Sequence, residues 1–226
     1  MLMPYLYLVR HGQPDFAGNY DSLTTLGMQQ STWLGEHFAA LGLVFARVAS
    51  GTLQRQVHTC DLVLASMGPG VTALRDARFN EYDHASLLSF FEGGDRMQRL
   101  RAAGDRRGYF TAIRESLFAW ARHEGPITNG ESWADFGGRI DGAVAALCDG
   151  LDRDDKVLIV SSGGVIGRYT AAALDAGPQA AIQLNLQTRN TGVTEIVRAG
   201  SGARVVAFNG VAHLERPDRA YAVTFS

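Results

Sequence analysis

Two short runs constrain this chain most, Tyr5-Leu6-Tyr7-Leu8-Val9 near its start and Val157-Leu158-Ile159-Val160 much later. Both are continuously apolar and rich in β-branched or aromatic residues. They are too short for buried helices and read as strands covered on both faces, the kind found at the centre of a parallel sheet. Each stops abruptly at polar residues and glycine: Arg10-His11-Gly12 after the first, Ser161-Ser162-Gly163-Gly164 after the second. A chain built on such strands needs helices on both sides of its sheet.

The intervening segments supply them. Thr24 or Thr25 can cap a helix to about Ala40, with Leu26, Trp33, Leu34, Phe38 and Leu41 along one side. A short strand over Phe45–Ala49 leads to a helix from about Leu53 to Ser66, stopped by Gly68-Pro69-Gly70, and Val71–Leu74 suits a third strand. From Glu131 to Leu151, Trp133, Phe136, Ile140, Val144 and Leu147 recur at helical spacing. A further helix opens after Gly164 and runs through Leu174. Val193–Val197 and Arg204–Phe208 read as a hairpin joined by Ala199-Gly200-Ser201-Gly202. Strands alternating with helices predict an α/β fold, a three-layer sandwich with a mostly parallel central sheet and helices on both faces.

A length of 226 residues fits a single domain, 1–226. Residues at about 82–130 lack strand patterns and hold Glu92-Gly93-Gly94-Asp95 and the basic stretch from Arg101 to Arg107. Helices are expected near Arg96–Ala102 and Phe110–His123. This segment reads as a helical insertion over one end of the sheet, either a lid or a plain helical layer.

Charge and composition exclude several classes. A net charge of −2 provides no global field for nucleic acid or acidic membranes. No apolar run approaches a membrane span, and Met1–Val9 is too short for a signal peptide and lacks a basic lead. The two cysteines, Cys60 and Cys148, lie far apart without a C-x-x-C pattern, as buried thiols in a reducing compartment do. A cytoplasmic protein is expected. The acidic loop Asp149, Asp152, Asp154 and Asp155 reads as a solvated turn rather than a cation site. Neither a metal nor a cofactor is expected.

In open α/β sheets, ligands bind beyond the carboxyl ends of the strands. If the two apolar strands are neighbours, His11 and Arg10 converge with Ser162, Gly163 and Gly164. An unprotonated imidazole nitrogen can attack phosphorus when a carbonyl holds the other ring nitrogen as a donor. Arg10 and Arg55 offer bidentate contacts to phosphoryl oxygens. Arg55 lies in the first turns of its helix, and Gly163-Gly164 opens another helix whose amides favour an anion. The leaving oxygen needs a proton, and Glu81, which follows the third strand, is the candidate acid.

Leu8-Val9-Arg10-His11-Gly12-Gln13 resembles the signature of the histidine phosphatase superfamily, which includes cofactor-dependent phosphoglycerate mutases. Asp21-Ser22-Leu23-Thr24-Thr25-Leu26-Gly27-Met28-Gln29-Gln30 is similar to the family's D-x-x-L-T-x-x-G-x-x-Q segment, and Ser50 through Arg55 to Thr59 to its S-x-x-L-x-R-x-x-x-T segment. Glu131-Ser132, Asn209 and His213-Leu214 also resemble family habits, so the similarity spans nearly the whole chain. The resemblance implies a phosphoglycerate mutase-like fold. It implies that His11 becomes phosphorylated, that Arg10 and Arg55 hold the phosphoryl group, and that Glu81 protonates the leaving group.

Two departures stand out. The family usually has histidine in a strand-end S-H-G-G motif, and Ser162 occupies that place here. A serine hydroxyl keeps one donor and carries no charge. Complete loss of such a donor costs roughly 10²–10³ in rate, so the exchange predicts a slower or re-specialised enzyme rather than a dead one. Many relatives also place Asn where Ala17 stands, leaving Gln13 or Asn19 to contact substrate. His213, in a C-terminal loop, is a further candidate for the site. The expected activity is hydrolysis of a small phosphorylated metabolite or other phosphomonoester through phosphohistidine. The alternatives are a mutase-like phosphotransferase and a phospho-ligand-binding protein without turnover. The C-terminal hairpin offers an edge through which two copies would pair as a homodimer.

Overall fold

The computed structural model describes residues 2–16, 18–70, 72–84, 86–87, 99–100, 102–125, 127, 130–199 and 202–225. Strands β1 (Leu2–Arg10), β2 (Arg47–Ser50), β3 (Ala73–Arg75), β4 (Lys156–Ser161), β5 (Val193–Ala199) and β6 (Gly202–Gly210) form one sheet in the order β3-β2-β4-β1-β5-β6. The first four are parallel, and β5 and β6 join antiparallel at one side. The two apolar runs are therefore adjacent central strands, β1 and β4, paired from Tyr5↔Lys156 to Arg10↔Ser161.

The sheet is covered on both faces because successive strand residues point to opposite sides. Leu6 and Leu8 of β1, with Val157 and Ile159 of β4, enter one core cluster. Tyr7 and Val9, with Leu158 and Val160, enter the other. Helices α1 (Thr25–Ala40) and α2 (Gln54–Met67) cover the second face through Leu34, Phe38, Cys60 and Val63. Helices α3 (Arg106–Arg122), α4 (Trp133–Cys148) and α5 (Gly163–Ala173) contribute Trp120, Phe136, Ile140, Val165 and Ile166 to the first. Each such side chain contributes roughly 1.5–3 kcal/mol by leaving water. This is the three-layer sandwich expected from the sequence.

Local chemistry fixes the ends. Thr24 is the cap of α1, its Oγ1 accepting from Gly27 N at 3.0 Å. Ser132 caps α4 by accepting from Asp135 N at 3.0 Å. Helix α3 starts at Arg106, earlier than its apolar pattern suggests, because Asp105 accepts from Gly108 N at 2.8 Å.

Helix α6 (Pro178–Gln187) has no counterpart in the sequence reading. It buries only Ala181 and Ile182, so its hydrophobic period is faint; Gly177-Pro178 was the start signal available. The helix expected near Arg96–Ala102 lies mostly outside the described residues, as do Glu92–Asp95, Arg101 and Val71. The acidic loop closes on itself: the Asp155 carboxylate accepts from Asp152 N at 2.8 Å. Among the described residues no His, Cys, Asp and Glu group is arranged to hold a metal, and no helix is long and apolar enough to cross a membrane.

Candidate active site

The register of β1 against β4 brings their polar ends together, and His11 N donates to Ser161 O at 2.9 Å. Strand β2 runs beside β4, and Gly51 N donates to Val160 O at 3.2 Å, which delivers the start of α2 to the same place. Helix α1 packs close against the turn after β1. A Cβ on Gly12 would lie 2.4 Å from Gly27 O, so only glycine fits there.

His11 is 1% exposed. Its Nδ1 lies 2.8 Å from Gly12 O. A carbonyl only accepts, so Nδ1 carries the proton and Nε2 keeps its lone pair. Burial holds the His11 pKa well below the usual histidine value; the charges of Arg10 and Arg55 lower it further, and the Gly12 carbonyl opposes them. The ring is thus neutral at pH 7 and held by its surroundings. Thr191 N donates to Arg10 O at 3.1 Å, and Asn190 Nδ2 donates to His11 O at 3.3 Å.

Arg10 and Arg55 are both buried. Arg10 Nη1 donates to Thr188 O. Burial pulls the Arg10 pKa down, and Tyr20 and Glu81 counter it. Arg55 Nη1 is paired with Asp21 Oδ1 at 2.7 Å, and its guanidinium sits 5.0 Å from the centre of the Tyr20 ring. Arg55 Nε is buried with no hydrogen-bond partner among the described residues, a donor available to an anion. The Asp21 carboxylate also accepts from Gln54 N at 3.1 Å, which caps α2 from outside.

Glu81 follows a short 3₁₀ turn, Ala77–Phe79. Its Oε2 accepts from Gly164 N at 3.0 Å, at the start of α5. Burial raises its pKa; the bond from Gly164 and the charges of Arg55 and Arg10 pull the other way. Ser162 is buried, and its Oγ accepts from Gln56 Nε2 at 2.8 Å. Gly163 is buried too, and a Cβ there would lie 2.5 Å from Asn185 Oδ1.

Arg10, His11, Arg55 and Glu81 therefore form one buried polar cluster at the carboxyl end of the sheet, with Ser162 and Gly163 following the strand paired with Arg10. The three remaining candidates are placed differently. Gln13 Oε1 accepts from Thr24 Oγ1 at 2.9 Å, at the start of α1. Asn19 is exposed, and its Oδ1 accepts from Asp21 N at 3.0 Å in an Asx turn. His213 is buried: Thr191 Oγ1 donates to Asn190 O at 2.7 Å and accepts from His213 Nε2 at 2.8 Å. Its ring braces the turn behind His11. Sequence reasoning missed Tyr20, Gln56, Thr188 and Asn190, which carry no local signal; Asp21 was visible only as the first residue of a family-like segment, with no partner assigned to it.

These two buried histidines make stability depend on pH. Burial pushes the His213 pKa from 6.5 down to about 3, with His37 and Arg219 adding to the effect. A depressed histidine contributes stability that is complete above its unfolded value and is lost as pH falls below it. Both groups should lower stability as pH falls below roughly 6.5, His213 by up to about 1.4 kcal/mol per pH unit. Urea unfolding at pH 7, 6 and 5 should show this loss, and His213→Gln should shed one group's share. Stability independent of pH across that range would refute the assignment of both rings as neutral.

The profile of the Histidine phosphatase superfamily (branch 1) matches residues 6–210 of this chain. A 2,3-bisphosphoglycerate-dependent phosphoglycerate mutase of Brucella melitensis is 28% identical over 212 residues, covering 89% of this chain and 95% of that protein. Among solved structures, a phosphoserine phosphatase from Entamoeba histolytica in complex with 3-phosphoglyceric acid aligns with a TM-score of 0.67 at 20% identity, covering 94% of this chain and 100% of that one. A mycobacterial glucosyl-3-phosphoglycerate phosphatase aligns with a TM-score of 0.64 at 24% identity, covering 92% and 99%.

Proposed function

The chain belongs to the histidine phosphatase superfamily, and from that premise we propose that it hydrolyses a small phosphomonoester through a phosphohistidine at His11. One observation carries this reading: a buried, neutral His11 whose Nδ1 is committed to Gly12 O, with Arg10 and Arg55 beside it. In the first step Nε2 bonds to phosphorus as the P–O bond to the leaving group breaks. Protonated Glu81 gives its proton to that oxygen. In the second step Glu81, now a carboxylate, takes a proton from water as the water oxygen bonds to phosphorus and the P–N bond breaks. Inorganic phosphate leaves, and His11 and Glu81 return to their starting states. Arg10 and Arg55 carry the charge on the phosphoryl oxygens, and Ser162 stands where relatives place a second histidine.

The deciding experiment is hydrolysis of an aryl phosphate by wild type and His11→Ala, with mass-spectrometric detection of acid-labile phosphate on His11. Turnover without that label in wild type would overturn the mechanism. The similarity to a phosphoglycerate mutase supports a second reading, phosphoryl transfer between positions of one substrate. It predicts interconversion of 2- and 3-phosphoglycerate primed by 2,3-bisphosphoglycerate; release of inorganic phosphate in its place favours the hydrolase.

Gly164 provides an independent check on Glu81. A Cβ at this position would lie 2.1 Å from Glu81 Oε1 and 2.5 Å from the Tyr82 ring. Gly164→Ala should displace the carboxyl and lower kcat by about 10²-fold, the low end of what a placed general acid contributes. Thermal melting of the same variant shows whether the fold survives. An unchanged kcat would separate Glu81 from the chemistry.

A further inference from the structure

We propose that Gln56 is a positioning residue for phosphoryl binding, its amide fixing the Ser162 hydroxyl as a donor to a phosphoryl oxygen. This inference rests on the phosphatase reading and explains how a serine serves there.

Ser162 occupies the N-cap of α5, where a serine ordinarily accepts from an amide two or three residues on. It makes no such bond. The Gly164 amide goes to Glu81 instead, at 3.0 Å. The Ser162 oxygen is left to Gln56, whose Nε2 stands 2.8 Å from it and 3.3 Å from Phe79 O. The Phe79 carbonyl only accepts, which identifies the atom facing both oxygens as the amide NH₂. Ser162 Oγ is therefore an acceptor in this contact. A hydroxyl has a single proton, and Ser162 donates it to no acceptor among the described residues. That proton remains for a ligand on the His11 side, since Ser162 directly follows the Arg10↔Ser161 pair.

Packing encloses this amide, whose Oε1 has no hydrogen-bond partner among the described residues. Gln56 is fully buried. Its Oε1 fills the space over Gly51, where a Cβ would lie only 1.9 Å away. Arg55 and Gln56 are consecutive in the first turn of α2. One turn of helix thus supplies both a charge for the phosphoryl group and the group that aims a neutral donor at it. A buried hydroxyl free to rotate would spread its proton over several directions; the Gln56 N–H, by occupying one lone pair of Oγ, turns that proton away from Gln56.

The test uses the full chain and inorganic phosphate, with vanadate as a second probe, titrated calorimetrically against wild type, Gln56→Met, Ser162→Ala and the double variant. Each single change should weaken phosphate binding about 10-fold or more, as for loss of a hydrogen bond to a charged group. The double variant should bind no more weakly than Ser162→Ala, because Gln56 acts only through Ser162. Binding within twofold of wild type in Gln56→Met, or losses that multiply in the double variant, would overturn the proposal. Should Gln56→Met fail to fold, Gln56→Glu replaces it. Its carboxylate would draw the Ser162 proton to itself, and a variant that kept wild-type affinity would equally refute the idea. The phosphatase reading fails separately, through absence of phosphohistidine on His11 in a protein that still shows the Gln56–Ser162 coupling.

Discussion

Replacing His11 with alanine is expected to lower kcat by a factor on the order of 10⁴–10⁶, the range seen when an enzyme loses its nucleophile. The size follows from what the protein invests in this one ring. Nδ1 is committed to Gly12 O at 2.8 Å, and burial beside two guanidinium groups keeps the imidazole neutral. Nε2 is therefore nucleophilic at any pH near neutrality, without first losing a proton. Alanine removes the nucleophile and leaves Arg10 and Arg55 in place. Inorganic phosphate should still bind to the variant, so the loss falls on kcat and not on ligand affinity. Rapid-quench measurement of phosphate release, beside a phosphate-binding titration, separates the two. A variant that retained a tenth of wild-type kcat would show that another group attacks phosphorus.

Glu81→Gln should lower kcat by about 10²–10⁴ for alkyl phosphates, the usual contribution of general acid catalysis. The loss should shrink for aryl phosphates with acidic leaving groups, which depart without a proton. That contrast is specific to proton donation, because a purely structural defect would slow both substrates alike. The pH profile gives a second readout. Burial raises the Glu81 pKa, so its protonated form persists to higher pH than for an exposed carboxyl. The first chemical step should slow as pH rises through that value, and the alkaline limb should vanish in Glu81→Gln. Equal losses on alkyl and aryl esters would remove Glu81 from the role of acid.

Much of this molecule can be read from residue order alone. The central strands were legible because double-sided burial demands uninterrupted apolar residues, and Leu6 to Val9 and Val157 to Val160 meet that demand on both faces. Amphipathic helices with a full stripe, such as α4 with Phe136, Ile140 and Val144, were equally plain. Helix α6 escaped because a helix that buries little has little pattern to show. Of the candidate site, Arg10, His11, Arg55 and Glu81 were proposed from local context and family resemblance. Their supporting residues were not, since Gln56 and Ser162 are far apart in sequence and meet only in space.

The two apolar runs with which the sequence is most clearly marked determined by themselves that a parallel sheet exists and that polar turns end its strands. The tertiary structure alone decided that those strands are neighbours, in the register Arg10↔Ser161. It also decided which buried polar groups meet, Gln56 with Ser162 and Thr191 with His213. The physical reason is that backbone pairing and apolar periodicity are written locally. A hydrogen-bond partner such as Gly12 O for His11, Asp21 for Arg55 or Gln56 for Ser162 depends instead on where packed elements bring donors and acceptors together.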